Sequence, residues 1–440
     1  MSRPVYQVLR EFLRGNDRLC VVKAPPGSGK SYNLLEALDS AVEDGYRIAI
    51  AAQTNNQIDD LCKRLVVRYP GQEVVRFSSA SYVAPVDLDP NIEIITDKKL
   101  LPDGPCIVVG TVAKLGLVDI VNLHDLLFID EAWQMTWADF LTLRDVAKRY
   151  VMIGDPGQIP PTVTITVDRW EISPAAPHLA APEVVLNNPE LRELTTVLNL
   201  PTCHRLPADS VDLVRGFYDF EFDAAARPGD RFLRSAKPLN LKVSVDRAID
   251  MLSQHSTVIL ALPTNDDGAP IEPDTELADA VAGVVKRLFQ LDCVFAAEAG
   301  DKKSPRALEP QHIGIVSTHN LMNTAIEKAL PKKYRGVGGI KVTTPERWQG
   351  LERPVMIAVH PLSGVMLPSS FDLETGRLCV MASRHRSACI FVTRDHVGDT
   401  LSTHLPVADQ ALGRSDIVGR GHQQHTDFWN HHLERDLIVR

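Results

Sequence analysis

The chain has 440 residues, a formal net charge of -9, 44% hydrophobic and 23% charged residues, the make-up of an ordinary soluble globular protein. This length exceeds what one hydrophobic core organises, so two domains are expected. No stretch reaches the roughly 20 apolar residues of a membrane span, and MSRPVYQVLREFLRG at the start lacks a signal peptide's apolar region, so the expectation is a cytoplasmic protein with no membrane partner. The seven cysteines (Cys20, Cys62, Cys106, Cys203, Cys293, Cys379 and Cys389) include no CxxC pair and indicate neither a disulfide framework nor a zinc site. The acidic balance argues only weakly against a nucleic-acid partner, because the local basic clusters Lys332, Lys333, Arg335 and Arg384, Arg386 could still grip a strand.

In chain order, Val5 to Leu13 has helical spacing and carries Gln7, whose amide can read an adenine edge bidentately. Leu19, Val21 and Val22 form a short apolar run, followed by APPGSGKS at 24–31 and a helical pattern from Tyr32 to Leu38. Strand, Gly-rich loop and helix in this order are the context of a phosphate-binding loop. Around Pro26, Gly27, Ser28 and Gly29 the backbone N–H groups can turn inward on phosphate oxygens, with the positive helix end behind them. Lys30 is suited to the β- and γ-phosphates and Ser31 to Mg²⁺, making ATP and Mg²⁺ the expected cofactors. One departure is visible: the first glycine of the pattern GxxxxGK(S/T) is Ala24.

A second strand pattern, Tyr46 to Ala52, ends at Gln53, Thr54 and Asn55, and Ile58, Leu61 and Leu65 then share one helix face. Residues 70–105, rich in Pro, Asp and Ser, read as a small irregular excursion. A third strand, Cys106 to Val109, ends at Gly110 and Thr111. The fourth, Leu126 to Ile129, is apolar on both faces, as a central parallel strand should be, and places Asp130 and Glu131 at its carboxyl end. Asp130 there suits Mg²⁺ held through water, and Glu131 suits orientation of an attacking water. A fifth run, Tyr150 to Ile153, leads into GDPGQIPP, where Gln158 is placed to touch both a γ-phosphate and a second domain. Five strands alternating with helices predict a doubly wound α/β domain.

These motifs together resemble superfamily 1 helicases, and within them the branch that includes the nonsense-mediated-decay helicase. There the motifs look like GPPGTGKT, a strand ending APTN, DEAxQ and GDPxQLPP; here they read APPGSGKS, AAQTN, DEAWQ and GDPGQIPP, in the same order. Gln7 matches the family's adenine-reading glutamine. In the second half NLPTCHRLPADSVDLVRGFYD resembles the QYRMHP segment, and Arg205 matches the arginine that enters the nucleotide site. KVTTPERWQGLE resembles T-x-D-x-F-Q-G-x-E, which implies that Thr344 lies on the nucleic-acid side and that Gly350 and Glu352 face the nucleotide. LCVMASRHRSACIFV resembles VALTRAR and a strand, with Arg384 matching the second nucleotide-site arginine and Ser383 replacing a threonine. The turn after Ile313 to Ser317 departs from the family's PYxxQ, reading Thr318, His319, Asn320, Leu321, Met322.

The resemblance implies two tandem RecA-like α/β domains with parallel sheets, at 1–197 and 198–400, with ATP in the cleft between them and a tail at 401–440. It implies catalytic roles for Lys30, Glu131, Gln158, Arg205 and Arg384, and strand contacts from Thr54, Asn55, Thr111 and Thr344. The implied activity is ATP-driven movement along single-stranded DNA or RNA, 5′ to 3′, with replication, repair or RNA-processing proteins as partners. A nucleic-acid-stimulated remodelling switch without strand separation is the first alternative; a non-catalytic scaffold is the second, opposed by the intact Lys30, Asp130, Glu131 and both arginines. The tail histidines His422, His425, His431 and His432 read as a polar helix surface rather than a metal site.

Overall fold

The computed structural model describes residues 5–121, 123–163, 166–170, 173–264, 273–334, 336–406 and 417–440; Arg335 of the first basic cluster lies outside them. The chain forms two compact units, 5–156 with 160–200, and 157–159 with 201–406 and 417–440.

The first unit is built on an eight-stranded sheet. In chain order its strands are β1 (Leu19–Lys23), β2 (Ile48–Ala52), β3 (Val74–Phe77), β4 (Glu93–Ile95), β5 (Ile107–Thr111), β6 (His124–Ile129), β7 (Ala147–Gly154) and β8 (Thr195–Asn199). They are all parallel, in the spatial order β4-β3-β5-β2-β6-β7-β1-β8. Both faces are covered, which is why the central strands are apolar without alternation. Cys20 and Val22 of β1 and Ile48 and Ile50 of β2 pack with the helices α1 (Val5–Arg14), α2 (Lys30–Glu43) and α3 (Asn55–Arg68). Val21, Ala49 and Ala51, one residue out of step, pack on the other side with Val112, Phe140 and Ala181.

Residues 70–105 correct the expectation of an excursion: they add β3 and β4 to the sheet, β3 pairing with β5. Their strand signal is weak because VVRF carries an arginine and β4 is only three residues long. β8, in a proline-interrupted stretch, extends the opposite side next to β1.

The second unit begins with three short pieces, β9 (Thr202–Cys203), β10 (Asp223–Ala224) and β11 (Phe232–Arg234). Then come β12 (Thr257–Leu262), β13 (Val294–Ala296), β14 (Arg306–Ala307), β15 (Ile313–Val316), β16 (Lys341–Thr343), β17 (Arg353–Val359), β18 (His385–Arg394) and β19 (Ile438–Val439). Its main sheet is six-stranded and parallel, ordered β16-β15-β17-β18-β12-β19. The helix Thr275–Gln290 buries Leu277, Val281, Val284, Val285 and Leu288, which lie along one helix face, against it. Two parallel α/β units are thus present, as expected of RecA-like domains.

The C-terminal segment is no tail. Helix Ile417–Leu433 buries Phe428 and Trp429, and β19 pairs with β12; burial of Leu437 and Val439 draws it in. The polar-surface reading of the histidines fails with it, since His425 and His432 are fully buried. His432 donates from Nδ1 to Phe428 O (2.8 Å) and accepts at Nε2 from the Thr257 hydroxyl (3.0 Å). No described helix is long and apolar enough to cross a membrane.

Candidate nucleotide site and strand-facing residues

The loop after β1 is pinned at its start, where Ala24 N–H donates to Gly154 O at 2.8 Å. Ala24 is fully buried and packs with the α1–α3 core, so the methyl that replaces the pattern's first glycine points into packing, not into the loop. Gly27 and Gly29 adopt positive φ (66° and 77°), a region that side chains disfavour. Gly29 is also the residue before the first helical turn of α2, and Asn33 Nδ2 donates to its carbonyl at 3.0 Å.

Opposite the loop, β6 ends in Asp130 and Glu131. Glu131 has a left-handed backbone (φ 52°), a conformation that costs a non-glycine residue energy and persists where the surrounding structure holds it. Its N–H donates to Asp130 Oδ1 at 2.9 Å and its carboxylate accepts from Lys30 Nζ at 2.5 Å. Burial first, and the Glu131 carboxylate second, push the Asp130 carboxyl above its usual range, with Lys30 opposing.

Three observations test whether nucleotide and Mg²⁺ fit here. The loop amides are turned by left-handed glycines; Ser28 Oγ is buried and, among the described residues, has no hydrogen-bond partner; and Asp130 carries an electrostatic cost that a cation beside it would relieve. The residues fit. Ser31 and Asp130 would hold the metal, which when bound neutralises charge on the phosphates.

Gln7 is exposed on α1, its amide 3.4 Å from Tyr6 Oη. Gln158 is 8% exposed and belongs with residues 157–159 to the second unit. There Gly376 allows a close approach, since a Cβ on it would lie 2.6 Å from the Gln158 carbonyl carbon.

Within the second unit Arg205 donates from Nε to Glu352 Oε2 at 2.5 Å and from Nη1 to Ser383 O at 3.2 Å. Arg386 donates to the other Glu352 oxygen and to Glu298. Burial alone would raise Glu352, but Arg205 and Arg386 outweigh it and hold the carboxyl below its ordinary value. Arg384, just before β18, is buried, and its carbonyl accepts from Arg353 N–H at 2.9 Å. Gly350 makes a left-handed turn (φ 76°) between Trp348 and β17. Sequence reasoning missed the roles of Arg386 and Glu298; the two-residue spacing from Arg384 was the available signal for the first, and none existed for the second.

Trp348 is fully buried over β15, donating Nε1–H to Ile315 O at 3.0 Å. Gly314 makes room for it: a Cβ there would sit 2.5 Å from Trp348 Cη2 and 2.6 Å from Met356 Sδ. Gly314→Ala is therefore expected to destabilise the protein by about 1–3 kcal/mol through overpacking. Urea unfolding checks this, and an unchanged midpoint would contradict it.

Thr54 and Asn55 follow β2, Thr111 ends β5, and Thr344 follows β16, so all four stand at carboxyl ends of parallel strands. Thr54 forms a capping box with Gln57, and Thr111 Oγ1 accepts from Lys114 N–H at 3.2 Å. Thr344 is 9% exposed, and its carbonyl accepts from the N–H groups of Arg347 and Trp348.

The AAA domain family matches residues 6–164, a span that contains the loop, Asp130, Glu131 and Gln158. Over 83 residues the chain is 32% identical to "Helicase required for RNAi-mediated heterochromatin assembly 1" of Schizosaccharomyces pombe, a match spanning 18% of this chain and 8% of that protein. Among solved structures, arterivirus nonstructural protein 10 (helicase) aligns at 15% identity and a TM-score of 0.42, covering 90% of this chain and 64% of that one. The same protein with DNA aligns at 15% and 0.43, covering 86% and 60%. The PRRSV helicase aligns at 14% and 0.42, covering 89% and 55%. This chain therefore spans less than two thirds of each of these relatives.

Proposed function

We propose that this protein is an ATP-hydrolysing motor of the superfamily 1 helicase type that moves along single-stranded nucleic acid. The observation that carries the reading is the meeting of Lys30, Asp130 and Glu131 beside a loop whose Gly27 and Gly29 take left-handed backbone and whose buried Ser28 hydroxyl has no hydrogen-bond partner among the described residues. Lys30 binds the phosphates, Asp130 and Ser31 hold the metal, and Glu131 orients the attacking water and accepts its proton. Arg205 and Arg384 meet the charge that develops on the transferred phosphoryl group, a task suited to a planar, permanently charged fork. Gln7, Gly350 and Glu352 are assigned to the nucleotide, Gln158 to reporting its state, and Thr54, Asn55, Thr111 and Thr344 to strand phosphates.

The test is ATPase activity titrated with single-stranded DNA and RNA side by side. Stimulation by either supports the motor, and stimulation without strand separation in an unwinding assay selects the remodelling switch. Indifference to both strands overturns the reading. Arg384→Ala or Arg205→Ala protein that kept full stimulation would remove that residue from its role. The 5′ to 3′ direction rests on the family resemblance alone; a translocation assay with end-labelled strands is expected to show arrival at the 3′ end, and arrival at the 5′ end contradicts it.

A further inference from the structure

Arg76 on β3 is fully buried and lies in a stretch to which no motif points. Its guanidinium donates from Nε to Asp59 Oδ1 at 3.0 Å, from Nη1 to Phe77 O at 3.0 Å and from Nη2 to Asn55 Oδ1 at 2.7 Å. Tyr82 covers it, its ring centroid 4.5 Å from the guanidinium carbon, and donates its hydroxyl to Asp59 Oδ1 at 2.7 Å. Asp59 and Asn55 both belong to α3, so the fork ties β3 to the start of that helix. Asn55 itself is exposed.

The chemistry of the fork decides which end of Asn55 is presented. A guanidinium has five donors and no acceptor, so only the amide oxygen of Asn55 can face it. The NH₂ group is then the end turned away from Arg76, toward solvent, at the N-terminal turn of α3 where the helix's own unsatisfied N–H groups also lie. An NH₂ group, which only donates, takes an acceptor such as a phosphate oxygen and discriminates against the donor edge of a base.

We propose that Arg76 is a positioning residue for strand binding: by fixing the amide of Asn55 it makes that side chain a donor to the phosphates of a single strand. The inference rests on the reading of Asn55 as strand-facing. It differs from a purely structural role, in which Arg76 only neutralises Asp59, because neutralisation needs a cation whereas orientation needs the second arm of the fork.

The test is a double-mutant cycle read by fluorescence anisotropy with an oligothymidylate single strand at fixed salt. Arg76→Lys keeps a cation for Asp59 but has no arm for Asn55, and Asn55→Ala removes the donor. Each single variant is expected to bind about tenfold more weakly, the size of one hydrogen bond to a charged group, and the double variant no more weakly than either. Arg76→Lys binding as tightly as the parent, or losses that multiply in the double variant, overturns the positioning role. If Asn55→Ala alone binds like the parent, the strand-facing reading of Asn55 fails and the proposal with it. Should Arg76→Lys not fold, Arg76→Met with Asp59→Leu replaces it, since exchanging both members of a buried ion pair for apolar groups is tolerated; the same cycle with Asn55→Ala is then read.

Discussion

Glu131→Gln is expected to keep ATP and Mg²⁺ binding within a few-fold of the parent while lowering strand-stimulated hydrolysis by about 10²–10⁴-fold, the usual contribution of a positioned base. The substitution changes charge without changing shape, so the left-handed turn at Glu131 (φ 52°) and the N–H bond to Asp130 can persist. What it removes is the carboxylate that can take a proton from water, along with the ion pair to Lys30 at 2.5 Å. Freed of that partner, Lys30 keeps its charge for the phosphates, which is why binding is expected to survive and turnover to fall. Nucleotide titration and phosphate release, measured on the same preparation, separate the two effects. Turnover within threefold of the parent would take Glu131 out of the catalytic role, and loss of binding together with turnover would make the Lys30–Glu131 pair a structural element of the loop.

The parts of the fold that were legible in the sequence are those where periodicity and burial coincide. β2 and the Leu126–Ile129 part of β6 are buried on both faces and read as continuous apolar runs, and the stripe of Thr275–Gln290 follows one helix face. β3 and β4 were not legible, for a reason that bears on function: Arg76 breaks the apolar run of β3, and it is tolerated there only because Asp59, Asn55 and the Phe77 carbonyl satisfy it. Likewise β19 is two residues long and its pairing with β12 is a long-range event that no local pattern announces. At the candidate site, residue identities and order were readable because the phosphate loop is local, from Ala24 to Ser31. The clamp of Glu352 on Arg205 and Arg386 joins segments 147 and 34 residues apart, and only the fold brings them together.

The same distinction governs the histidines, whose burial leads to the second large effect: the second unit is expected to lose stability steeply as pH falls below about 6.5. His360, His385, His425 and His432 are all buried in this unit. Burial holds His385 and His425 down to about 3 and His432 to about 4, and it lowers His360 well below its ordinary value, with His425, His432 and His396 adding repulsion. In the unfolded chain each returns to a value near 6.5. The sign follows directly: below that value the unfolded state binds protons that the folded state refuses, so unfolding is favoured as pH falls. The contribution is whole above about 6.5 and is lost progressively down to the folded values of 3 to 4. With four such groups at about 1.4 kcal/mol per pH unit each, the slope approaches about 5 kcal/mol per unit once all four titrate in the unfolded chain. Against a domain stability of roughly 5–15 kcal/mol, the unit should unfold about one to three pH units below the onset. The first unit has His124 in the same condition, lowered to about 4 by burial, and so a much shallower slope. Urea midpoints recorded from pH 7.5 to 5 by Trp fluorescence check the expectation, and His425→Leu, which removes a buried ring with no hydrogen-bond partner on either nitrogen among the described residues, should reduce the slope by about a quarter. A midpoint that stays level over this range would mean that these rings gain protons in place, and that the helix Ile417–Leu433 opens to water without the unit unfolding.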